Sequence, residues 1–257
     1  MTGLNGRGRR RLTRRSLPYK AIAEATGMTA ATADGPLPLS VVTALYLRTK
    51  ALHAEAERTG IIRSLLRGEA SRAGYILFLR NLLPAYRAME RGLERHRSSP
   101  GIALLSRYRL ERTLAIETDL AALCGERWIE DIPLLAAGDI YAKRVSHAAD
   151  GDGLRLIAHA YTRYLGDLSG GQILQRLLAR SLGLRPLELT FYDFPHFSDL
   201  DVLKADYRRA LEEAGALASD PQALVEEGAI AFSMNIDISC AVEAAVPHVS
   251  ASIAAMQ

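Results

Sequence analysis

From Pro38 to the C-terminus the apolar residues recur with a helical period, and no segment sustains the alternation that a strand requires. Leu and Ala greatly outnumber Val and Ile, a balance suited to packed helices rather than pleated sheets. This restricts the body to an all-α fold whose core forms by stacking helix faces. With 257 residues and 49% apolar side chains, the chain can bury one sizeable core.

Local signals divide the pattern. Ser40 caps a helix over 40–58, and a short helix near 61–67 ends at Gly68. Ser71 opens a long helix through Arg97 that contains Pro84. Pro100-Gly101 breaks the chain before a helix over about 105–123, which stops at Gly125. Pro133 starts another, running to about 149, and Gly151-Asp152-Gly153 precedes the longest pattern, 154–182. Residues 187–198 (LELTFYDFPHFS) are aromatic and irregular; a helix follows over about 199–216. Asp220-Pro221 then pairs an N-cap with an N1 proline at the start of the last helix.

Charge separates an arm from the body. Residues 1–38 hold seven Lys/Arg against Glu24 and Asp34, whereas 39–257 are close to neutral. We read 1–38 as a basic, disordered extension and 39–257 as one domain. A nearly neutral body lacks the massed basic face that phosphate binding needs, so no nucleic-acid partner is expected for it. Arg14-Arg15 is not followed by an apolar stretch, and no 18-residue apolar run occurs, so neither export signal nor membrane anchor is expected. Cys124 and Cys240 have no metal-binding or disulfide spacing, which fits a reducing cytoplasm.

Within 154–182 lies Gly166-Asp167-Leu-Ser169-Gly170-Gly171. Three glycines in six helical positions cost about 1 kcal/mol each relative to alanine. Gly166 and Gly170 share a face and bare the main chain there. Spacing alone allows close helix–helix packing or the approach of a flat ligand. Asp167 and Ser169 place a carboxylate and a hydroxyl beside that bare surface. On another helix, His53 has Glu57 at i+4 and Lys50 at i−3, and Glu57 could orient the imidazole as a metal ligand requires.

The stretch Ala158-His-Ala-Tyr-Thr-Arg-Tyr-Leu-Gly-Asp-Leu-Ser-Gly-Gly-Gln172 resembles the signature of the haem oxygenases nearly letter for letter. Thr49-Lys50-Ala-Leu-His53-Ala-Glu-Ala-Glu57 resembles the family's proximal-histidine helix, and Ala231-Phe-Ser-Met-Asn-Ile236 its C-terminal helix. The likeness covers about 39–240. It implies a single helical domain holding haem b, as substrate and cofactor, between a proximal and a distal helix. By resemblance His53 is the axial iron ligand, supported by Glu57. Gly166 and Gly170 lie against the macrocycle, and Asp167 anchors a proton-supplying water network with Tyr86, Arg163 and Asn235. Lys50, Tyr161, Lys204 and Arg208 fall at propionate-side positions, Thr162 and Ser169 line the distal side, and Phe232 packs on the haem. Tyr46 stands where some relatives carry a further lysine.

The activity implied is oxygen-dependent cleavage of haem to biliverdin, carbon monoxide and ferrous iron. The sequence has no GxGxxG fingerprint before a helix, so electrons would come from an external ferredoxin or flavin reductase docking on a basic patch. The resemblance further implies a monomer. The competing reading is a haem carrier or sensor that keeps the pocket without turnover. A di-iron enzyme is disfavoured because no Glu-x-x-His pair occurs.

Overall fold

The computed structural model describes residues 40–254, with side chains to Ser250. The expected basic extension, 1–38, lies outside the described residues. Among the described residues the ordered elements are helical, with no strand. They are α1 Val41–Ala56, α2 Gly60–Arg67, α3 Arg72–Arg95, α4 Pro100–Ser106, α5 Thr113–Cys124, α6 Ala136–Ala148, a composite α7 over 156–182, α8 Leu200–Gly215 and α9 Pro221–Ala254.

The caps follow the sequence closely. Ser40 Oγ accepts from Thr43 N (3.2 Å), Ser71 Oγ from Gly74 N (3.1 Å) and Asp220 Oδ1 from Ala223 N (2.9 Å), each satisfying an amide left over at a helix start. Gly68 and Gly183 close α2 and α7 in the left-handed conformation.

Two expectations need correction. Pro100 does not break a helix but starts one at N1, where its missing N–H costs nothing, and the expected 105–123 helix is split into α4 and α5. Arg109, at φ 50°, turns the chain between them. The longest helix is α9 rather than 154–182, and it continues through Pro247 near its exposed end. Pro84 lies inside an α3 that runs on past it and delivers Tyr86 inward.

The core is centred on α3, which packs along α6, α9 and α5, with Tyr75, Ile76, Leu77, Leu79, Leu83 and Tyr86 essentially solvent-free. Residues Pro221–Ser250 are long and apolar enough to cross a membrane by length and composition. In the structure part of that surface lines the core, through Leu224, Ala231, Ile238 and Val242.

Where α1 gives way to α2, Gly60 takes φ +53°, and a Cβ there would stand 2.4 Å from the Ser239 carbonyl group on α9. Ser239 Oγ accepts from Ile62 N (3.1 Å) and donates to the Thr59 carbonyl (3.2 Å). This fixes the α1–α2 turn against α9, and hence the end of the helix that carries His53.

Candidate active site

Helix α7 is not a continuous α-helix. Leu156–Ala160 is α-helical, Tyr161–Leu165 and Asp167–Gly171 are wound as π-turns, and Gln172–Leu182 is α-helical again. Wider turns of this kind are rare and cluster at functional sites. Helix α1 and the π-wound stretch both pack on α8 and α9.

The glycines divide by what they face. A Cβ added at Gly166 or Gly170 would meet nothing within 4 Å, whereas one at Gly171 would press on the Tyr192 ring at 3.1 Å. No neighbouring helix occupies the room above Gly166 and Gly170, so close helix packing does not explain them. They present bare backbone to open space. Ser169 beside them is half-buried. Thr162 is buried and donates its hydroxyl to the Ala158 carbonyl (2.9 Å), within its own helix.

Behind the glycines is a buried polar network. Tyr86 OH donates to Asp167 Oδ2 (2.6 Å), and Arg163 Nε donates to Tyr86 OH (2.9 Å). Arg163 also reaches Asp167 Oδ1 (3.5 Å) and the Asn235 side-chain carbonyl. Asn235 Nδ2 donates to the Ala231 carbonyl (2.7 Å) and lies 3.2 Å from Tyr141 OH. Burial pushes the Asp167 carboxyl above its ordinary pKa, partly offset by the Arg163 charge and the Tyr86 hydrogen bond. Burial likewise raises Tyr86 well above the usual phenol range. These are the four residues, Tyr86, Arg163, Asn235 and Asp167, that the family resemblance implies for one network.

A second tier was not foreseen. His159 is wholly buried, with Nε2 3.0 Å from Glu227 Oε1 and Nδ1 3.4 Å from Tyr141 OH. Arg144 Nε donates to the same Glu227 oxygen (2.8 Å) and a second guanidinium nitrogen binds the other. Hydrogen bonds therefore run without a gap from Glu227 through His159, Tyr141, Asn235, Arg163 and Tyr86 to Asp167. Glu227 and His159 are 68 positions apart, and no local spacing links them.

On α1, His53 Nδ1 is buried and faces Glu57 Oε1 at 3.6 Å, while the side chain as a whole remains 36% exposed. The exposed part of the ring is thus its other edge, which carries Nε2. Phe232 from α9 lies against the ring, with centroids 5.7 Å apart and planes tilted by 50°. Tyr161, half-buried, is raised above its ordinary pKa by burial; the neighbouring Arg208 charge and a hydrogen bond with Thr49 oppose this, and Tyr46 is close by. Lys204 shares the α8 face of Arg208, and its Nζ lies 2.6 Å from the exposed Asp201. Lys50 is exposed on α1.

The chain matches the heme oxygenase family over residues 39–241. It is 36% identical to heme oxygenase 1 of Nostoc sp. over 193 residues, covering 75% of this chain and 81% of that one. It is 35% identical to heme oxygenase 1 of Homo sapiens over 205 residues, covering 79% and 71%. In structure it resembles crystalline heme oxygenase-1 from the cyanobacterium Synechocystis sp. in complex with heme. That likeness has a TM-score of 0.74 at 30% identity and covers 85% of this chain and 97% of the other.

Proposed function

The chain belongs to the haem oxygenase family, and we propose that it binds haem b between α1 and the π-wound stretch of α7 and opens it to biliverdin, carbon monoxide and ferrous iron. The residues suit a flat, anionic, iron-bearing substrate. Gly166 and Gly170 give it a bare wall with room above, and His53 offers an accessible imidazole edge whose opposite nitrogen is turned towards Glu57. Neutral imidazole is an established haem-iron ligand, and a partner on the second nitrogen fixes its tautomer and orientation.

When bound, haem supplies both the iron that activates dioxygen and the ring carbon that is attacked. The protein supplies position and protons. His53 holds the iron from the proximal side, and Phe232 packs beside it. Lys50, Tyr161, Lys204 and Arg208 bind the propionates, with Lys204 exchanging Asp201 for a substrate carboxylate. Asp167 holds a proton-supplying water chain over the crevice; Arg163, Tyr86 and Asn235 fix the orientation of its carboxyl. Ser169 lines the open face, whereas Thr162 serves the helix itself.

Dioxygen and electrons complete the reaction, the latter from a ferredoxin or flavin reductase. The enzyme works as a cytoplasmic monomer. Two cysteines without disulfides agree with a reducing compartment.

The observation that most directly supports turnover over mere carriage is the buried Asp167 network set beside the bare backbone of two glycines. A carrier has no use for a distal proton supply. Titrating the protein with haemin, then adding ascorbate or reduced ferredoxin in air, tests the reading. A one-to-one Soret complex that decays into a broad red biliverdin band is the expected result. A Soret band that persists under reduction makes the protein a carrier.

A further inference from the structure

On the flank of α7 where Gly171 faces protein rather than open space, another carboxylate is buried. This is Asp119 on α5, and among the described residues its hydrogen-bond donors are two backbone amides and one hydroxyl rather than a cation. Its Oδ1 accepts from Thr190 N (2.7 Å) and lies 2.6 Å from Thr190 Oγ1, while Oδ2 accepts from Phe191 N (3.0 Å). These contacts pin the 190–192 turn, in the middle of the aromatic stretch that looked irregular in sequence.

That turn is the backing of the distal wall. The Phe191 ring meets Tyr86 edge-on, with centroids 5.6 Å apart and an interplanar angle of 84°. The Tyr192 ring sits under Gly171, and the Tyr192 carbonyl accepts from Gln172 Nε2 (2.8 Å), the first residue after the π-turns. Arg112 holds the carbonyl of Asp193 on the next peptide. One carboxylate therefore fixes a single turn that touches the Tyr86 ring, the backbone at Gly171 and the Gln172 side chain.

We propose that Asp119 is a positioning residue for the distal site: through the 190–192 turn it sets where Tyr86 and the π-wound backbone stand, and so where the Asp167 carboxyl meets the crevice. The proposal rests on the haem-cleaving reading, and its test separates the two. A plain stabilising clamp would alter melting temperature alone. A positioning residue also moves the pH midpoint of the acid–alkaline transition in the ferric haem spectrum, which depends on the polar groups over the iron.

Asp119→Ala, Asp119→Asn and Thr190→Val are compared with Glu117→Gln on the same helix as Asp119, which breaks a partly exposed ion pair with Arg87 of α3. Asp119→Ala should bind haemin one to one, displace the midpoint by about half a pH unit or more, and lower biliverdin yield by about tenfold, as loss of an outer-shell orienting group does. Asp119→Asn, which keeps one acceptor oxygen, should fall between it and wild type; Glu117→Gln should match wild type. A folded Asp119→Ala with an unmoved midpoint overturns the proposal, as does an equal displacement in Glu117→Gln. If Asp119→Ala does not fold, Thr190→Val decides, and an unmoved midpoint there is again fatal. A wild-type complex that never yields biliverdin overturns the functional reading alone, because the midpoint needs only bound haem.

Discussion

Two histidine–glutamate pairs flank the site, and they are built in opposite ways. His53 and Glu57 sit one helical turn apart on α1, 3.6 Å from each other, both more than a third exposed. His159 and Glu227 come from separate helices, meet at 3.0 Å, and are almost completely shielded from water. The open pair leaves a nitrogen for something outside the protein. The closed pair has spent both imidazole nitrogens inside it, one on Glu227 and one on Tyr141. A buried histidine next to a carboxylate is thus not by itself a reactive centre; what distinguishes the two is a ring nitrogen with no partner among the described residues.

If this division of labour holds, His53→Ala has the largest effect on function and little on stability. Turnover should fall to background while haemin still enters the crevice, and added imidazole should restore part of it. The check is biliverdin formation together with a thermal melt. Normal turnover without imidazole removes His53 as the axial ligand, and a collapsed melting temperature makes α1 a structural element rather than a ligand carrier.

The closed pair should behave in reverse. Burial alone would raise the Glu227 pKa, but hydrogen bonds from His159 and Arg144 and their charges outweigh it and bring the carboxyl to about 2, against an ordinary value of 4.5. Since the folded value lies below the unfolded one, this stabilisation is complete above about pH 4.5 and is lost as pH falls towards 2. Glu227→Gln leaves Arg144 without its counter-charge and should cost about 3 kcal/mol at pH 7. It should also flatten the acid limb of a plot of melting temperature against pH. An unchanged acid limb would place the acid sensitivity of the fold elsewhere.

The contrast also explains what the sequence disclosed. His53 and Glu57 are visible because i,i+4 is a local spacing, and the distal wall is visible because its residues are consecutive, from Ala158 to Gln172. Helix order and caps are local too, and Ser40, Ser71 and Asp220 act where expected. The rest depends on approach between distant segments. Nothing near Glu227 in sequence points to His159, and Asp119 looks like any acidic residue on a helix. Gly60 reads as a loop glycine until Ser239 is found against it. The π-winding of α7 was foreshadowed by its glycines only as an irregularity, because a change of hydrogen-bond register has no residue type of its own.

Those glycines provide the smallest and sharpest test of which surface is kept open for a ligand. In a protein interior, adding a methyl group to a helical glycine usually clashes, and at Gly171 it would press on Tyr192. At Gly166 it meets nothing, so the ligand-free chain keeps a residue that is worse than alanine for its own stability. Helix propensity sets that sacrifice at up to about 1 kcal/mol, less to the extent that π-turns tolerate alanine poorly. Gly166→Ala should therefore raise the melting temperature of the haem-free protein slightly. The same methyl group would stand where the macrocycle must approach the main chain, so haemin affinity and biliverdin yield should fall together. A variant that is both more stable and fully active would mean that the substrate does not lie against Gly166, and the distal wall would have to be sought on another face of α7.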